Sequence, residues 1–438
     1  MIKKVYGLLI LLIVCGMLTS CYDRREVDEM AYVVAVGLDK GKSNLLKITL
    51  QIAVPTAVAG GGGGGGNSSG EGGGQKKGAE TISTTTVEAP ALHSGLDLIN
   101  NYISKELNLS HAKLLIFSEE LAREGIHKYI HEIMRGREFR TNLYVAVARG
   151  SAENYLRNAL FFLEVNPSKY YEMDFTTYKY TGFSANTQLI NFYLQEECTC
   201  RQAVATLVGV NKYEKSDEFN AQDSTFTKKG RDIPMPGDYT AGNLPKIYDI
   251  KTEIMGLAVF DGGTMVGELD GAETATFLIS SGELKRLSLT VPDPMEENKF
   301  IELDLRQRRK PIYKIRMAGD NPLISLKALL EADITSIQSG INYEQGKNHE
   351  ILEKSAEEFI QKGLEWYLDK TKALETDITG FGRKMKAKFL FWDDWMAFNW
   401  LDKYAKASFE VEVDLKIRRT GIMVRSEPAR SNSGEERN

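Results

Sequence analysis

The residues of this chain best equipped for chemistry are few and far apart. Cys198 and Cys200 form a Cys-x-Cys pair. Two such thiols can serve redox or metal chemistry, but a disulfide across so short a span is strained. A structural zinc site needs about four ligands, which the neighbouring sequence lacks, so the pair reads as ordinary small side chains. His127 and His131 stand at i, i+4 on an expected helix, a spacing able to hold a metal. Lys128, Tyr129 and Ile130 fill the gap where the zinc-protease motif carries a carboxylate, so these read as surface histidines. Gly41-Lys42-Ser43 suggests a phosphate loop, but the first glycine of a Walker loop would fall on Val36, and a strand follows where a helix N-terminus should receive the phosphate. No serine occupies a Gly-x-Ser-x-Gly elbow, and the acid pairs Asp393-Asp394 and Glu296-Glu297 flank expected loops as solvated surface. With no assembled nucleophile and base, the chain is expected to be no enzyme and to carry no cofactor and no metal.

Cys21 is different, because what precedes it is organised. Lys3 and Lys4 lead an uncharged apolar run from Val5 to Met17, followed by Leu18-Thr19-Ser20-Cys21. A positive flank held on the cytoplasmic side and an apolar run short of the ~20 residues of a membrane span are the layout of a secretory signal. The order basic, apolar, small, cysteine resembles the lipobox of bacterial lipoproteins. That resemblance implies cleavage between Ser20 and Cys21 and a diacylglyceryl group on the Cys21 thiol. Two acyl chains at about 0.8 kcal/mol per buried methylene hold a protein to a bilayer where one would not.

The chain has 438 residues, 42% hydrophobic and 26% charged, which suffices for a real core. At roughly 150 residues per domain, two or three domains are expected. Loss of residues 1 to 20 removes Lys3 and Lys4 and lowers the formal charge of −5 by two, to −7. A mildly acidic surface offers no footprint for nucleic acid and no attraction to anionic headgroups. Membrane contact must therefore come from the lipid.

These residues need elements to carry them. AYVVAVGL from Ala31 to Leu38 reads as a strand covered on both faces. Leu46, Ile48, Leu50, Ile52 and Val54 alternate with polar residues as its neighbour, after the turn Lys40-Gly41-Lys42-Ser43. The glycine tract from Gly60 to Gly74 cannot offset the entropy of ordering itself and is expected as a mobile connection to a third strand, Glu80 to Val87, in the same sheet. A helix is predicted from Ala91 to Leu107, a strand from Leu114 to Phe117, and helices capped by Ser118 and Ser151. Leu143 to Ala148, Ile254 to Phe260 and Met265 to Leu269 follow as strands, and Ala272 to Leu278 as a helix. Near the C-terminus Ile301 to Leu305, Ile324 to Leu330 and Phe409 to Ile417 alternate, with a long helix carrying Leu352, Ala356, Phe359, Ile360 and Tyr367 on one stripe. That pattern predicts a half-exposed antiparallel sheet with a helix across it. Trp392, Trp395 and Trp400 read as core, with an exposed aromatic contact as the rival. The fold class expected is α+β, with mixed and antiparallel sheets packed by helices. Its divisions are a signal peptide (1–20), an N-terminal α+β domain with a Gly-rich loop at 60–78 (21–195), a middle domain (196–310), a C-terminal sheet with the long helix (311–424) and a disordered tail (425–438).

Four stretches carry a resemblance to one family. They are Cys21-Tyr22-Asp23-Arg24-Arg25-Glu26 leading into VVAVGLD; His111-Ala112-Lys113-Leu114-Leu115-Ile116-Phe117 with its Glu-Glu-Leu-Ala helix start; MGLAVFDGGTMVGELDGAET from Met255; and KIRRTG from Lys416 to Gly421. Together they resemble the Ger(x)C family, the C-subunit lipoproteins of spore germinant receptors. The resemblance implies an elongated three-domain lipoprotein on the outer face of the spore's inner membrane. It implies membrane lipid bound through acylated Cys21 and assembly with integral membrane A- and B-type receptor subunits, so that small nutrient germinants trigger germination. The long glycine insert and the tryptophan-rich stretch depart from the family pattern. The alternative class, a solute-binding lipoprotein of a transporter, predicts two similar lobes with parallel sheets, which the alternating C-terminal strands oppose.

Overall fold

A computed structural model describes residues 4–7, 26–42, 45–54, 81–161, 163–213, 235–246, 249–421, 423, 425–427, 429–430 and 436–437. The signal segment's Ser20, the Cys21 it precedes and the Gly60–Gly74 insert lie outside them.

The chain enters through a single 3-10 turn, Val27–Glu29, into β1 (Met30–Lys40). β2 (Leu46–Ala53) and β3 (Ile82–Ala89) return antiparallel beside it. Then come helix α1 (Leu92–Asn100), β4 (Glu106–Asn108), β5 (Leu114–Ser118), α2 (Glu119–Glu124), α3 (His127–Arg135), β6 (Tyr144–Ala148), α4 (Ala152–Asn158), α5 (Pro167–Asp174), α6 (Leu189–Glu196), β7 (Val204–Val210), β8 (Thr252–Asp261) and β9 (Thr264–Leu269). These strands make one nine-stranded sheet in the order β3-β2-β1-β5-β6-β7-β8-β9, with β4 also paired to β1. Its centre, β1-β5-β6-β7, is parallel and its flanks are antiparallel.

The apolar run of β1 follows from its burial on both faces. Val33, Val36 and Leu38 join one core with Leu115, Ile130 and Phe192, while Val34 and Ala35 join another with Tyr155, Leu156 and Tyr171. Gly37 admits α4 against the strand, since a Cβ there would lie 2.9 Å from Leu156 Cδ1 and 3.2 Å from Ala152 Cβ. The glycine insert is a connection within this sheet, because Val54 N donates to Thr81 O at 2.9 Å and the two flanking strands pair directly. The expected caps are present: Ser118 and Ser151 each accept a hydrogen bond from the backbone N–H three residues on. The helix expected to reach Leu107 stops at Asn100, whose side chain accepts from Leu107 N at 3.1 Å and turns the chain into β4.

The second sheet begins after α7 (Gly271–Ser281), which Asp270 and Glu273 start with reciprocal hydrogen bonds of 2.8 and 2.9 Å. It holds β10 (Leu287–Pro292), β11 (Phe300–Arg306), β12 (Ile312–Ala318), the seventeen-residue β13 (Asn321–Ile337) and β14 (Ser408–Arg419). Between β13 and β14 come α8 (Gly346–Ala373), α9 (Gly382–Lys386), α10 (Trp392–Phe398) and α11 (Trp400–Tyr404). The alternation read from the sequence is present, but the sheet is not wholly antiparallel: β14 runs parallel to β13 from Leu323 opposite Ser408 to Asp333 opposite Arg419. A helical crossover returns the chain in the same direction as it left, which a hairpin cannot do. Leu352, Ala356, Ile360 and Tyr367 of α8 pack on Ile324, Leu326, Leu415 and Ile417, and that core continues to Leu257 and Val259 of the first sheet. Strands from residues 30 to 269 thus share one sheet, and position 195 falls inside α6, within its span.

Candidate functional site

The chain emerges toward its N-terminus from one end of the parallel strands. Cys21 lies nine residues before Met30 in the sequence. β5 and β6 begin at the same end, and α4 runs back toward it. There Ser168 Oγ donates to His111 O at 3.2 Å, Lys113 pairs with Glu172 at 3.2 Å, and the His111 ring meets Tyr32 edge-on at 5.0 Å. These contacts place the start of α5, to which the α4–α5 loop leads, beside the start of β5, the strand next to β1. Leu160 and Val165 in that loop are exposed, and Leu163 is 91% exposed.

A second feature joins the sheets. The segment before β7 threads against the loop after α8. Gln202 N donates to Asp377 O at 3.2 Å, and Gln202 Oε1 accepts from Asp377 N at 2.7 Å. Arg201, almost fully buried, donates from Nε to Ile378 O at 2.7 Å and sits 5.7 Å over the Phe277 ring. The Asp377 carboxylate is fully buried and accepts from Gly380 N (2.7 Å), Phe381 N (3.0 Å), Gly382 N (2.7 Å) and Trp400 Nε1 (2.8 Å). Burial pushes this carboxyl above the ordinary range, while the four donors pull the other way. The arrangement locks the loop after α8.

Cys198 and Cys200 correct the sequence reading, for they are bonded to each other with Cα atoms 5.0 Å apart. A turn between α6 and β7 brings the two Cα atoms to a bridgeable separation, which spacing alone did not show. Beside it, Thr199 Oγ1 accepts from Trp395 Nε1 at 2.7 Å. The tryptophans divide: Trp395 and Trp400 are core, whereas Trp392 is exposed with Lys386 Nζ 4.4 Å above its ring, next to Leu390 (88% exposed) and Phe391 (66%).

A cleft of about 370 Å³ opens between α7, β10 and α8, walled by Phe183, Met235, Ile279, Leu289 and Trp366 among others. Its acid, Glu273, is already held by Lys370 at 2.6 Å and by Asp270 N. A site for an amino acid or sugar needs several convergent polar groups, and this wall is mainly apolar.

The other residues singled out by spacing fall as follows. Gly41 and Lys42 lie in a hairpin turn in which Gly41 N donates to Leu45 O at 2.7 Å. Asp393 and Asp394 are exposed in the first turn of α10. His127 and His131 share a face of α3, but Glu196 and Glu197 from the end of α6 meet them at 2.8 and 2.9 Å. No local spacing could reveal these partners, which lie more than sixty residues away. Among the described residues, the histidine side chains bond or pair with Glu196, Glu197, Glu353 and the Tyr343 carbonyl. No described helix is long and apolar enough to cross a membrane.

Two family descriptions match the chain. "Spore germination protein N-terminal domain" covers residues 23–209, and "Spore germination B3/GerAC like, C-terminal" covers residues 255–421. Spore germination protein KC of Bacillus subtilis (strain 168) is 23% identical over 428 residues, 96% of this chain and 97% of that one. The putative spore germination protein YfkR of the same strain is 24% identical over 154 residues, 35% of this chain and 38% of its own. A crystal structure of the GerBC protein superposes with a TM-score of 0.49 at 13% identity, covering 87% of this chain and 96% of the other.

Proposed function

This chain is a member of the Ger(x)C family of spore germination proteins, and from that premise we propose that it is the lipid-anchored, non-catalytic C subunit of a nutrient germinant receptor. Acylated Cys21 holds it at the outer face of the spore's inner membrane, where it assembles with integral membrane A- and B-type subunits. One observation carries the reading: family descriptions spanning 23–209 and 255–421 begin two residues after a lipobox-like cysteine.

The fold is consistent with that anchorage. No described helix is long and apolar enough to cross a membrane, and Cys21 stands nine residues ahead of β1 in the sequence. The exposed Leu160, Leu163 and Val165 stand at the same end of the sheet, where a bilayer would cover them.

Deletion of the gene tests the proposal. Spores should form normally and germinate slowly or not at all with the receptor's nutrients, while germination by agents that bypass nutrient receptors is unchanged. Unaltered nutrient germination across amino acids, sugars and nucleosides would sink it.

A further inference from the structure

We propose that His127, His131 and Glu196 form a binding site for a divalent transition-metal cation, of which Zn²⁺ suits the donor set best. One ligand atom from each residue can be chosen so that all three lie within 4.8 Å of one another. Zinc bonds of about 2.0–2.2 Å to imidazole nitrogen and carboxylate oxygen put neighbouring ligands roughly 3.3 Å apart. Small side-chain rotations of the two half-exposed imidazoles close that difference.

The backbone already shapes the place. His127 and His131 lie one turn apart on α3 with ring centroids 4.0 Å apart. Glu196 reaches them from the last residue of α6, its side chain only 2% exposed, with Oε1 2.8 Å from His127 Nδ1. Its second oxygen, Oε2, is buried with no hydrogen-bond partner. A carboxylate oxygen in that state is costly unless a positive charge or a donor meets it. His131 Nε2 is likewise buried and makes no hydrogen bond, although Glu197 Oε1 stands 2.9 Å away. The β8–β9 turn completes the wall: Gly263, at φ +79°, leaves room for the carboxylate, since a Cβ there would come within 2.5 Å of Glu196 Oε1. Ile126 N donates to Gly263 O at 2.8 Å and pins the start of α3 to that turn.

The chemistry of the donors selects the ion. Two imidazoles and one carboxylate favour zinc and its borderline neighbours over calcium or magnesium, which take oxygen ligands. Glu197 or water fills the fourth position, on the solvent side of the exposed His127. An open cleft lined by His93, Lys128, Glu132 and Arg135 borders His131, and His127 is itself more than half exposed.

The test uses the untagged full-length protein in detergent, stripped of metal with a chelator and titrated with Co²⁺. One equivalent should bind with visible d–d absorption of nitrogen–oxygen coordination, and Zn²⁺ should displace it. His127→Ala, His131→Ala and the near-isosteric Glu196→Gln should each weaken Co²⁺ at least tenfold while the metal-free proteins keep the wild-type circular dichroism. His349→Ala should bind as the wild type does. A flat visible spectrum, or Co²⁺ binding that survives His127→Ala and Glu196→Gln in folded protein, overturns the site in favour of plain histidine–glutamate ion pairs. The outcome is independent of whether the protein serves a germinant receptor.

Discussion

Asp377→Ala should cost this protein about 4 kcal/mol of stability. The side chain accepts four hydrogen bonds of 2.7 to 3.0 Å from Gly380 N, Phe381 N, Gly382 N and Trp400 Nε1, all inside the molecule. Alanine leaves four buried donors without an acceptor, at about 1–3 kcal/mol each. Against this stands the relief of removing a buried carboxyl whose pKa burial has raised, which brings the net to the low end of the sum. Trp400→Phe removes only one donor and keeps most of the ring that stacks on Phe398, so about 1 kcal/mol is expected. Because Asp377 also exchanges two hydrogen bonds with Gln202 through its backbone, the damage should loosen the sheet junction first. Urea unfolding gives the total, and hydrogen exchange at the Gln202 amide gives the location. A loss under 1 kcal/mol, or unchanged exchange at Gln202, would show that the loop does not depend on this carboxylate.

Other perturbations follow from the same geometry. Burial raises the Asp174 carboxyl to about 6, with the Lys246 charge opposing it. The native state then holds this proton more tightly than the unfolded chain, so this group's contribution to stability is full below about pH 4 and is lost as pH rises through 6. Asp174→Asn should therefore raise stability by about 3 kcal/mol at pH 7 and change little at pH 4; equal melting of mutant and wild type at pH 7 would contradict this. Asp39 at the end of β1 accepts from Ala152 N at 2.7 Å and Glu153 N at 2.9 Å, capping α4 from a neighbouring strand. Asp39→Ala should cost about 1–2 kcal/mol in thermal unfolding, and a neutral result would show that Ser151 alone suffices. Cys21→Ala should leave the precursor uncleaved or the protein released on fractionation. A processed form retained in membranes would argue for another anchor.

What the sequence disclosed divides along the line between local and distant causes. The run AYVVAVGL announced a strand covered on both faces because each of its residues must be apolar for its own reason. Phe409 to Ile417 announced a strand open on one face through simple alternation, and Ser118 and Ser151 announced helix starts through the chemistry of a cap. The direction of β14 was hidden, since alternation is identical in parallel and antiparallel pairing. The early end of α1 was hidden as well, because it depends on the Asn100 side chain finding Leu107 N. Glu196 was invisible beside His127 because α6 lies far along the chain and only the tertiary fold brings it there. Cys198 and Cys200 misled for a related reason: spacing describes strain in an extended chain, whereas a turn sets the Cα atoms at 5.0 Å. The proposed cleavage between Ser20 and Cys21 rests on order and composition alone.

The measurement closest to the centre of the account is the intact mass of the N-terminal peptide of protein purified from spore inner membranes. A peptide that begins at Cys21 and carries a thioether-linked diacylglycerol is the predicted result. A peptide that begins elsewhere, or a free sulfhydryl on that residue, would contradict the anchorage on which the receptor role depends.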